Sequence, residues 1–171
     1  MIKAEPGGIL WLDLSTTTGW AYGHTADVCP AWGVWVMPGM ADLGRFGAAF
    51  ENELCDSLHK FQPRLVGIEA AIPAHFQKSE QAAIAAMSLA TLTHTTCWRW
   101  ERRLVVRASA TVRSGVLGTS QFPKGRVKDA VLQWCIARGW DITDHNARDA
   151  ALGLAYEFGV RAPRPSRRQA A

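Results

Sequence analysis

A short apolar segment near the start of the chain contains one acidic residue, and this combination constrains the fold most. Residues 9–14 are apolar at nearly every position, as expected of a central β-strand that is covered on both faces. Asp13 lies inside this strand, where an ionised carboxylate is unfavourable unless a cation or several hydrogen-bond donors meet it. Four hydroxylic residues and Gly19 follow, which allows a tight turn into a second strand. The segment therefore predicts either a metal site or a phosphate site.

Apolar periodicity along the rest of the chain predicts alternating strands and helices. We predict strands over residues 20–23, 32–37, 64–70 and 104–107, and helices over residues 42–61, 79–102, 110–117, 124–138 and 144–159. Three consecutive strands followed by helix–strand units indicate an α/β fold with a mixed five-stranded sheet and helices on both faces. In such a sheet Asp13 and Glu69 lie on neighbouring central strands, close enough to share an ion.

Length and composition limit the class of protein. A chain of 171 residues, of which 48% are apolar, predicts one domain with a sizeable core. Its apolar runs are shorter than the roughly 18–20 residues of a membrane span, and its first eight residues do not resemble a signal peptide. The four cysteines lie far apart, which is typical of free thiols in a reducing compartment. We therefore expect a cytoplasmic protein without membrane contact.

Charge is distributed unevenly along the chain. Four arginines in the last eleven residues account for the net charge of +4, so we separate a folded domain of residues 1–160 from a basic tail of residues 161–171, expected to be disordered. Residues 1–75 contain eight acidic and four basic residues, whereas residues 98–128 contain eight basic residues and one acidic residue. This division fits a nucleic-acid surface beside an acidic site, and it fits a solvated helix face equally well.

Three segments in a fixed order carry a resemblance to a known family. Residues 12–20 place Asp13 before a Ser/Thr/Gly turn, residues 66–69 end a strand on Glu69, and residues 146–155 place Asp149 in a helix rich in Ala and Leu. Together they resemble the RuvC family of Holliday junction resolvases, which has the ribonuclease H-like fold. A weaker match covers residues 118–127. The resemblance extends over about residues 9–157, so residues 1–160 are interpreted as a divergent, phage-type RuvC-like nuclease domain.

The resemblance implies a metal-dependent endonuclease that cleaves branched DNA such as Holliday junctions. Two divalent ions about 3.5–4 Å apart hydrolyse the phosphodiester bond in such sites, one activating water and the other stabilising the leaving oxygen. Oxygen ligands favour Mg²⁺ or Mn²⁺, two ions per active site. By analogy Asp13 bridges the ions, Glu69 and Asp149 hold one each, and Asn146 occupies the position of a fourth ligand. Such crowded carboxylates repel one another when no metal is bound.

Asn146 is the main departure from the family pattern, which usually has an acid or a histidine three residues before its last Asp. Asn146 and Asp149 share a helix face, and an amide oxygen can bind a hard cation, but the lost charge weakens the second metal. Asp144 or His145 could contribute instead. A natural variant and an Asp-to-Asn change made to trap uncleaved substrate both fit this residue. In either case we expect the neutral side chain to weaken or abolish the endonuclease activity.

Five residues are predicted to contact DNA: Phe76, Lys78, Lys124, Arg126 and Lys128. Phe76 follows Glu69 in a loop, displaced by a few residues from the family's aromatic, and it can stack on an unpaired base or belong to the core. The displacement favours a broader preference for branched DNA over strict four-way specificity. The three basic residues at positions 124–128 are predicted to begin a helix, where the helix dipole assists phosphate binding. Arg107 and Arg113 are weaker candidates.

Two alternatives to cleavage stay open at this point. One is a protein of the same fold that holds branched DNA without cutting it, which Asn146 favours. The other is a phosphotransferase of the actin and sugar-kinase fold, but that fold needs a second domain and a second phosphate loop, so we expect no nucleotide cofactor. For the nuclease, symmetric cutting of a two-fold junction calls for a homodimer. The divergence of the chain suggests a bacterial or phage-infected cell as its source.

Overall fold

The computed structural model describes residues 7–71 and 79–159. Its strands are β1 (Ile9–Asp13), β2 (Thr17–Gly23), β3 (Ala31–Val36), β4 (Leu65–Glu69) and β5 (Arg103–Arg107). Its helices are α1 (Leu43–Phe61), α2 (Glu80–Arg99), α3 (Ser109–Leu117), α4 (Val127–Ala137) and α5 (His145–Glu157). In these two described ranges, no helix is both long and apolar enough to cross a membrane. The predicted tail and the candidates Phe76 and Lys78 lie outside the described residues.

The five strands form one mixed sheet in the order β3-β2-β1-β4-β5. β1 pairs antiparallel with β2 and parallel with β4, so it is the central strand. Leu12 lies opposite Ile68, so Asp13 and Glu69 follow side by side at the carboxyl ends of two parallel strands. The predicted fold class, a mixed five-stranded sheet with helices on both faces, is therefore confirmed.

The alternation of side chains along β1 decides which helices surround Asp13. Leu10 and Leu12 pack into a core formed with α1 and α2, whereas Ile9 and Trp11 pack into a second core formed with α3, α4 and α5. Successive side chains of a strand point to opposite faces, so Asp13 lies on the same face as Trp11. The acid is thus directed toward the layer that contains α3, α4 and α5.

Three glycines allow α5 to approach the sheet closely. The indole of Trp11 is fully buried, and a Cβ atom at Gly67 of β4 or at Gly153 of α5 would overlap with it. A Cβ atom at Gly19 of β2 would overlap with the backbone of Asn146, at the start of α5. These three glycines therefore determine how closely α5 packs on the sheet. The position of Asp149, which α5 carries, depends on the same close packing.

The starts of β2 and α4 and the end of α2 differ from the predicted boundaries. β2 begins at Thr17 rather than at residue 20, because Gly19 pairs with Asp13 of β1 instead of forming the turn. Lys124 was expected to begin a helix, but α4 begins at Val127, because Gly125 adopts a left-handed conformation (φ 82°) and ends a turn before it. The placement of Lys124 and Arg126 in a helix is therefore wrong, and only Lys128 lies in the first turn. α2 ends at Arg99, where Glu101 adopts φ 53° and reverses the chain.

Candidate metal centre

Three acidic side chains from three elements line one small cavity. Asp13 ends β1, Glu69 ends β4 and Asp149 lies on α5. They surround a space of about 50 Å³, together with Arg113, Val127, Val131 and Leu152. Asp13 and Glu69 arrive on adjacent strands, while the packing of α5 on the sheet brings in Asp149. The structure thus places the three predicted acids around a common space.

A second, wider cavity of about 270 Å³ opens from the same two strand ends. Asp13 and Glu69 line it together with residues 14–16, Ala70, Ala71, Ser109 and three alanines of α2, namely Ala82, Ala85 and Ala86. The small side chains of α2 leave this space open beside the carboxylates. The site therefore has room on one side for a group that approaches the acids from solvent.

Burial raises the pKa of all three carboxyl groups. It raises the pKa of Asp13 to about 8, with further contributions from the charges of Asp149 and Glu69. Burial and the charge of Glu69 raise the pKa of Asp149 to about 6. Burial also raises the pKa of Glu69, although the hydrogen bond from Ser109 opposes this rise. The cluster is thus short of positive charge, which a cation bound among its oxygens would supply.

The donor chemistry of the cluster fits a hard divalent ion, because its buried ligands are carboxylate oxygens. Among residues 7–71 and 79–159, however, no three His, Cys, Asp or Glu side chains already stand as a metal-ligand set. The carboxylate of Glu69 accepts a hydrogen bond from the hydroxyl of Ser109, the first residue of α3. The acids thus fit the ion in chemistry and location, and their side chains must adjust to hold it.

The residues that precede Asp149 have different roles at the start of α5. Asp144 caps the helix, since its Oδ1 accepts hydrogen bonds from the backbone N–H groups of Asn146 (2.7 Å) and Ala147 (3.0 Å). This cap engages the carboxylate that was considered as an alternative ligand, and His145 is exposed. Asn146 is half-buried three residues before Asp149, and it lines neither of the two cavities beside Asp13. Its assignment as a ligand stays a prediction.

The basic residues near the site fall into two groups. The positive charges of Lys128 and Arg113 oppose the raised pKa values of Asp13 and Asp149, so both side chains act on the carboxylates. Arg126 instead pairs with Asp129 at 3.1 Å on the surface, and Arg107 pairs with Glu157 at 2.7 Å. Sequence reasoning ranked Arg113 only as a weak DNA contact. Its spacing of four residues from Ser109 fits one helix face, but the predicted helix begins at residue 110, so the sequence does not indicate that both side chains face the acids.

We expect the metal-free protein to lose stability as the pH rises. The carboxyl groups of Asp13 and Asp149 titrate near 3.8 when unfolded, whereas their folded pKa values are raised to about 8 and about 6. The folded state therefore binds these protons more tightly. The stabilisation that this tighter proton binding gives the folded state is fully present below the pKa of the unfolded state. It is lost as the pH rises through the pKa values of the folded state, at up to ~1.4 kcal/mol per pH unit for each group.

Urea unfolding in EDTA at several pH values between about 5 and 9 measures this loss. Asp13→Asn should reduce the dependence of the free energy of unfolding on pH in the upper part of this range. Saturating Mg²⁺ should reduce the same pH dependence in the parent protein. A metal-free protein whose free energy of unfolding is the same across this range would contradict the assignment of Asp13 as a buried, electrostatically strained acid.

Comparison with known proteins identifies the fold. The sequence matches no protein-family model and no curated protein. Thermus thermophilus RuvC in complex with a Holliday junction substrate matches with a TM-score of 0.69 and 13% identity, over 89% of this chain and 93% of that chain. Another Thermus thermophilus RuvC structure matches with a TM-score of 0.67 and 15% identity, over 91% and 99%. The yeast mitochondrial Holliday junction resolvase Ydc2 matches with a TM-score of 0.62 and 13% identity, over 89% of this chain and 78% of that chain. The chain therefore has the ribonuclease H-like fold of the RuvC-type resolvases, as the sequence resemblance implied.

Proposed function

We propose that this chain is a metal-dependent endonuclease that cleaves branched DNA such as Holliday junctions. The convergence of Asp13, Glu69 and Asp149 on one cavity, within this fold, is the observation that carries the proposal. A nuclease needs carboxylates at a place that DNA can reach, and the wider cavity beside Asp13 and Glu69 opens to solvent there. The bound substrate of Thermus RuvC supports a Holliday junction as the DNA to test first.

Bound Mg²⁺ or Mn²⁺, two ions per site, would activate the attacking water and stabilise the leaving oxygen. By analogy with the RuvC family, Asp13 would be the ligand shared by the two ions, and it lines one cavity with Glu69 and Asp149. Glu69 and Asp149 would hold one ion each, and Asn146 would add an amide oxygen. The sheet fixes Asp13 relative to Glu69, whereas the glycine contacts of α5 set the distance to Asp149.

The proposed DNA surface begins beside this cavity. Lys128 lies in the first turn of α4, where its charge and the amino end of the helix both favour a phosphate. Lys124 and Arg126 precede that helical turn and would contact the phosphate backbone further along the DNA strand. Phe76 and Lys78 remain proposed DNA contacts. Symmetric cutting requires two such sites, so the proposed assembly is a homodimer in the cytoplasm of a bacterial or phage-infected cell.

The test is a nicking assay with end-labelled DNA in Mg²⁺ or Mn²⁺. A four-way junction, a three-way junction and a linear duplex of the same sequence are compared, and EDTA serves as the control without metal. We expect nicks in the branched substrates and none in the linear duplex. The proposal is wrong if both the chain as it stands and an Asn146→Asp variant leave all branched DNA uncut in either metal.

Asn146→Asp should strengthen cleavage where metal is limiting. The substitution restores a negative charge on α5 three residues before Asp149, where the related nucleases have an acid or a histidine. We expect the Mg²⁺ concentration for half-maximal cleavage to fall about tenfold, as one added charge near an ion can be worth about 1.4 kcal/mol. Asn146→Ala, which removes the amide oxygen, is the control and should need more Mg²⁺ than the parent. Identical Mg²⁺ dependence in all three proteins would place Asn146 outside the metal site.

A non-cleaving protein that holds branched DNA is the second candidate function. Two observations favour it: Asn146 lacks the charge of a usual ligand, and Glu69 is engaged by Ser109. This candidate predicts that the parent binds a four-way junction in a gel-shift assay with and without Mg²⁺, and that Asp13→Asn binds equally well. It requires that no nick appears in either metal, so the nicking assay separates the two candidates.

A further inference from the structure

The short helix α3 places two polar side chains against the carboxylates. Ser109 and Arg113 are four residues apart, so they lie on one face of the helix. Ser109 donates a hydrogen bond to Glu69, and Arg113 lines the cavity with Asp13, Glu69 and Asp149. Val112 and Val116 are buried in the core on this side of the sheet, which fixes the helix. Arg113 is thus held by a packed element beside all three acids.

Arg113 differs from the arginines of the described residues that form ion pairs with acids. Three arginines form such ion pairs: Arg99 with Glu51, Arg107 with Glu157, and Arg126 with Asp129. Within residues 7–71 and 79–159, Arg113 forms no ion pair with an acid within 4 Å. Its charge is nevertheless directed at a cavity with three carboxylates. The guanidinium is therefore near these acids without being committed to one of them.

The influence of Arg113 extends to every member of the cluster. Burial raises the pKa of Asp13, Glu69 and Asp149, and the positive charge of Arg113 opposes the rise in each case. Lys128 opposes it at Asp13 and Asp149. A guanidinium stays charged at any pH at which a protein is folded, so this compensation does not depend on its own titration.

We infer that Arg113 is a positioning residue that serves as the built-in counter-cation of the carboxylate cavity and competes with a divalent ion for the same three side chains. The competition rests on the proposed metal site, whereas the counter-cation role does not. A divalent ion bonded directly to the oxygens compensates their charge more strongly than a nearby guanidinium can. Arg113 then becomes a second positive charge beside a bound cation, which weakens the binding of that cation.

This role gives the removal of Arg113 two opposite effects. Without metal, the protein should become less stable, because three buried carboxylates lose a compensating charge. With metal, the site should bind the ion more tightly, because the repulsion between the guanidinium and the ion is gone. A residue that only contacts DNA would change neither quantity in the absence of DNA. A residue that only fills space would lower stability and leave the affinity for metal unchanged or weaker.

Calorimetric titration with Mn²⁺, without DNA, tests the competition in three proteins: the parent, Arg113→Gln and Arg103→Gln. Arg103 is an exposed residue at the start of β5, and its substitution makes the same change of charge and size. We expect Arg113→Gln to bind Mn²⁺ about tenfold more tightly than Arg103→Gln, the effect of about 1.4 kcal/mol in ion binding. Arg113→Lys should stay close to the parent. Equal or weaker affinity in Arg113→Gln would overturn the competition while leaving the metal site itself intact.

Urea unfolding of the same proteins in EDTA tests the counter-cation role independently. Arg113→Gln should unfold at a lower urea concentration than Arg103→Gln, and Arg113→Lys should recover most of the difference. If Arg113→Gln and Arg103→Gln unfold at the same urea concentration, the counter-cation role of Arg113 is overturned. If neither the parent nor Arg103→Gln binds Mn²⁺, the proposed metal site and the competition both fail, and the unfolding experiment still decides whether Arg113 compensates the acids.

Discussion

Asp13→Asn should abolish metal-dependent cleavage and at the same time stabilise the metal-free protein. Asp13 lines both cavities, as Glu69 does, and it is the acid whose pKa is raised most, to about 8, chiefly by burial. Asparagine keeps the shape but cannot bridge two cations, so we expect cleavage to fall by roughly a thousandfold or more. In EDTA the variant avoids an ionised carboxylate in a buried cavity, so its gain in stability over the parent should grow as the pH rises toward 8, by up to ~1.4 kcal/mol per pH unit.

The opposite signs of the two effects make this prediction specific. The nicking assay measures the first effect and urea unfolding in EDTA measures the second. Asp56→Asn, at an exposed position of α1, makes the same chemical change away from the site and should alter neither quantity. A structural role for Asp13 predicts that Asp13→Asn lowers stability. A variant that is destabilised, or that still cuts branched DNA at the parent's rate, would contradict the metal role.

Gly153→Ala should destabilise the protein, although alanine is ordinarily the better residue inside a helix by about 1 kcal/mol. The added Cβ would overlap with the indole of Trp11, which is fully buried between the sheet and α5. Either the ring or the helix must move, and overpacking of this kind costs typically ~1–3 kcal/mol. Because the same helix carries Asp149, we also expect slower cleavage in whatever fraction stays folded.

A double substitution shows whether the overlap with Trp11 is the cause. Combining Gly153→Ala with Trp11→Leu should cost less than the sum of the two single changes, because the smaller side chain leaves room for the methyl group. Gly47→Ala is the matched control inside a helix: its Cβ would meet only the flexible end of Leu92, at 3.3 Å, and should be tolerated. Additive losses in the double variant, or a stabilised Gly153→Ala, would show that α5 does not pack against Trp11 as described.

The sheet and its two acids followed from the sequence because both depend on local patterns. Apolar runs of strand length located β1 and β4, and the rule that parallel strands place their carboxyl ends together brought Asp13 and Glu69 side by side. The helical spacing that placed Asp149 on α5 was equally local. Each of these steps needs only the order of residues and the periods of strands and helices.

The remaining features depend on contacts between segments that are distant in the chain. The sequence contains Trp11, Gly67 and Gly153, but no local pattern indicates that the three meet and set the depth of α5. The direction of α3 likewise decides that Arg113 faces the acids, and this follows from the packing of its valines. The early start expected for α4 failed for a local reason, since a left-handed Gly125 keeps Lys124 in a turn.

The most direct test of the metal centre is the position of Mn²⁺ in crystals of this protein, located by its anomalous scattering. We predict density between Asp13, Glu69 and Asp149, with the carboxylate of Glu69 released from Ser109 and with Asp144 still capping α5. The same experiment on Asp13→Asn should lose the ion. Saturating Mn²⁺ that leaves this cavity without anomalous density, or that binds away from Asp13 in the parent, would contradict the assignment of these three acids as a nuclease metal site.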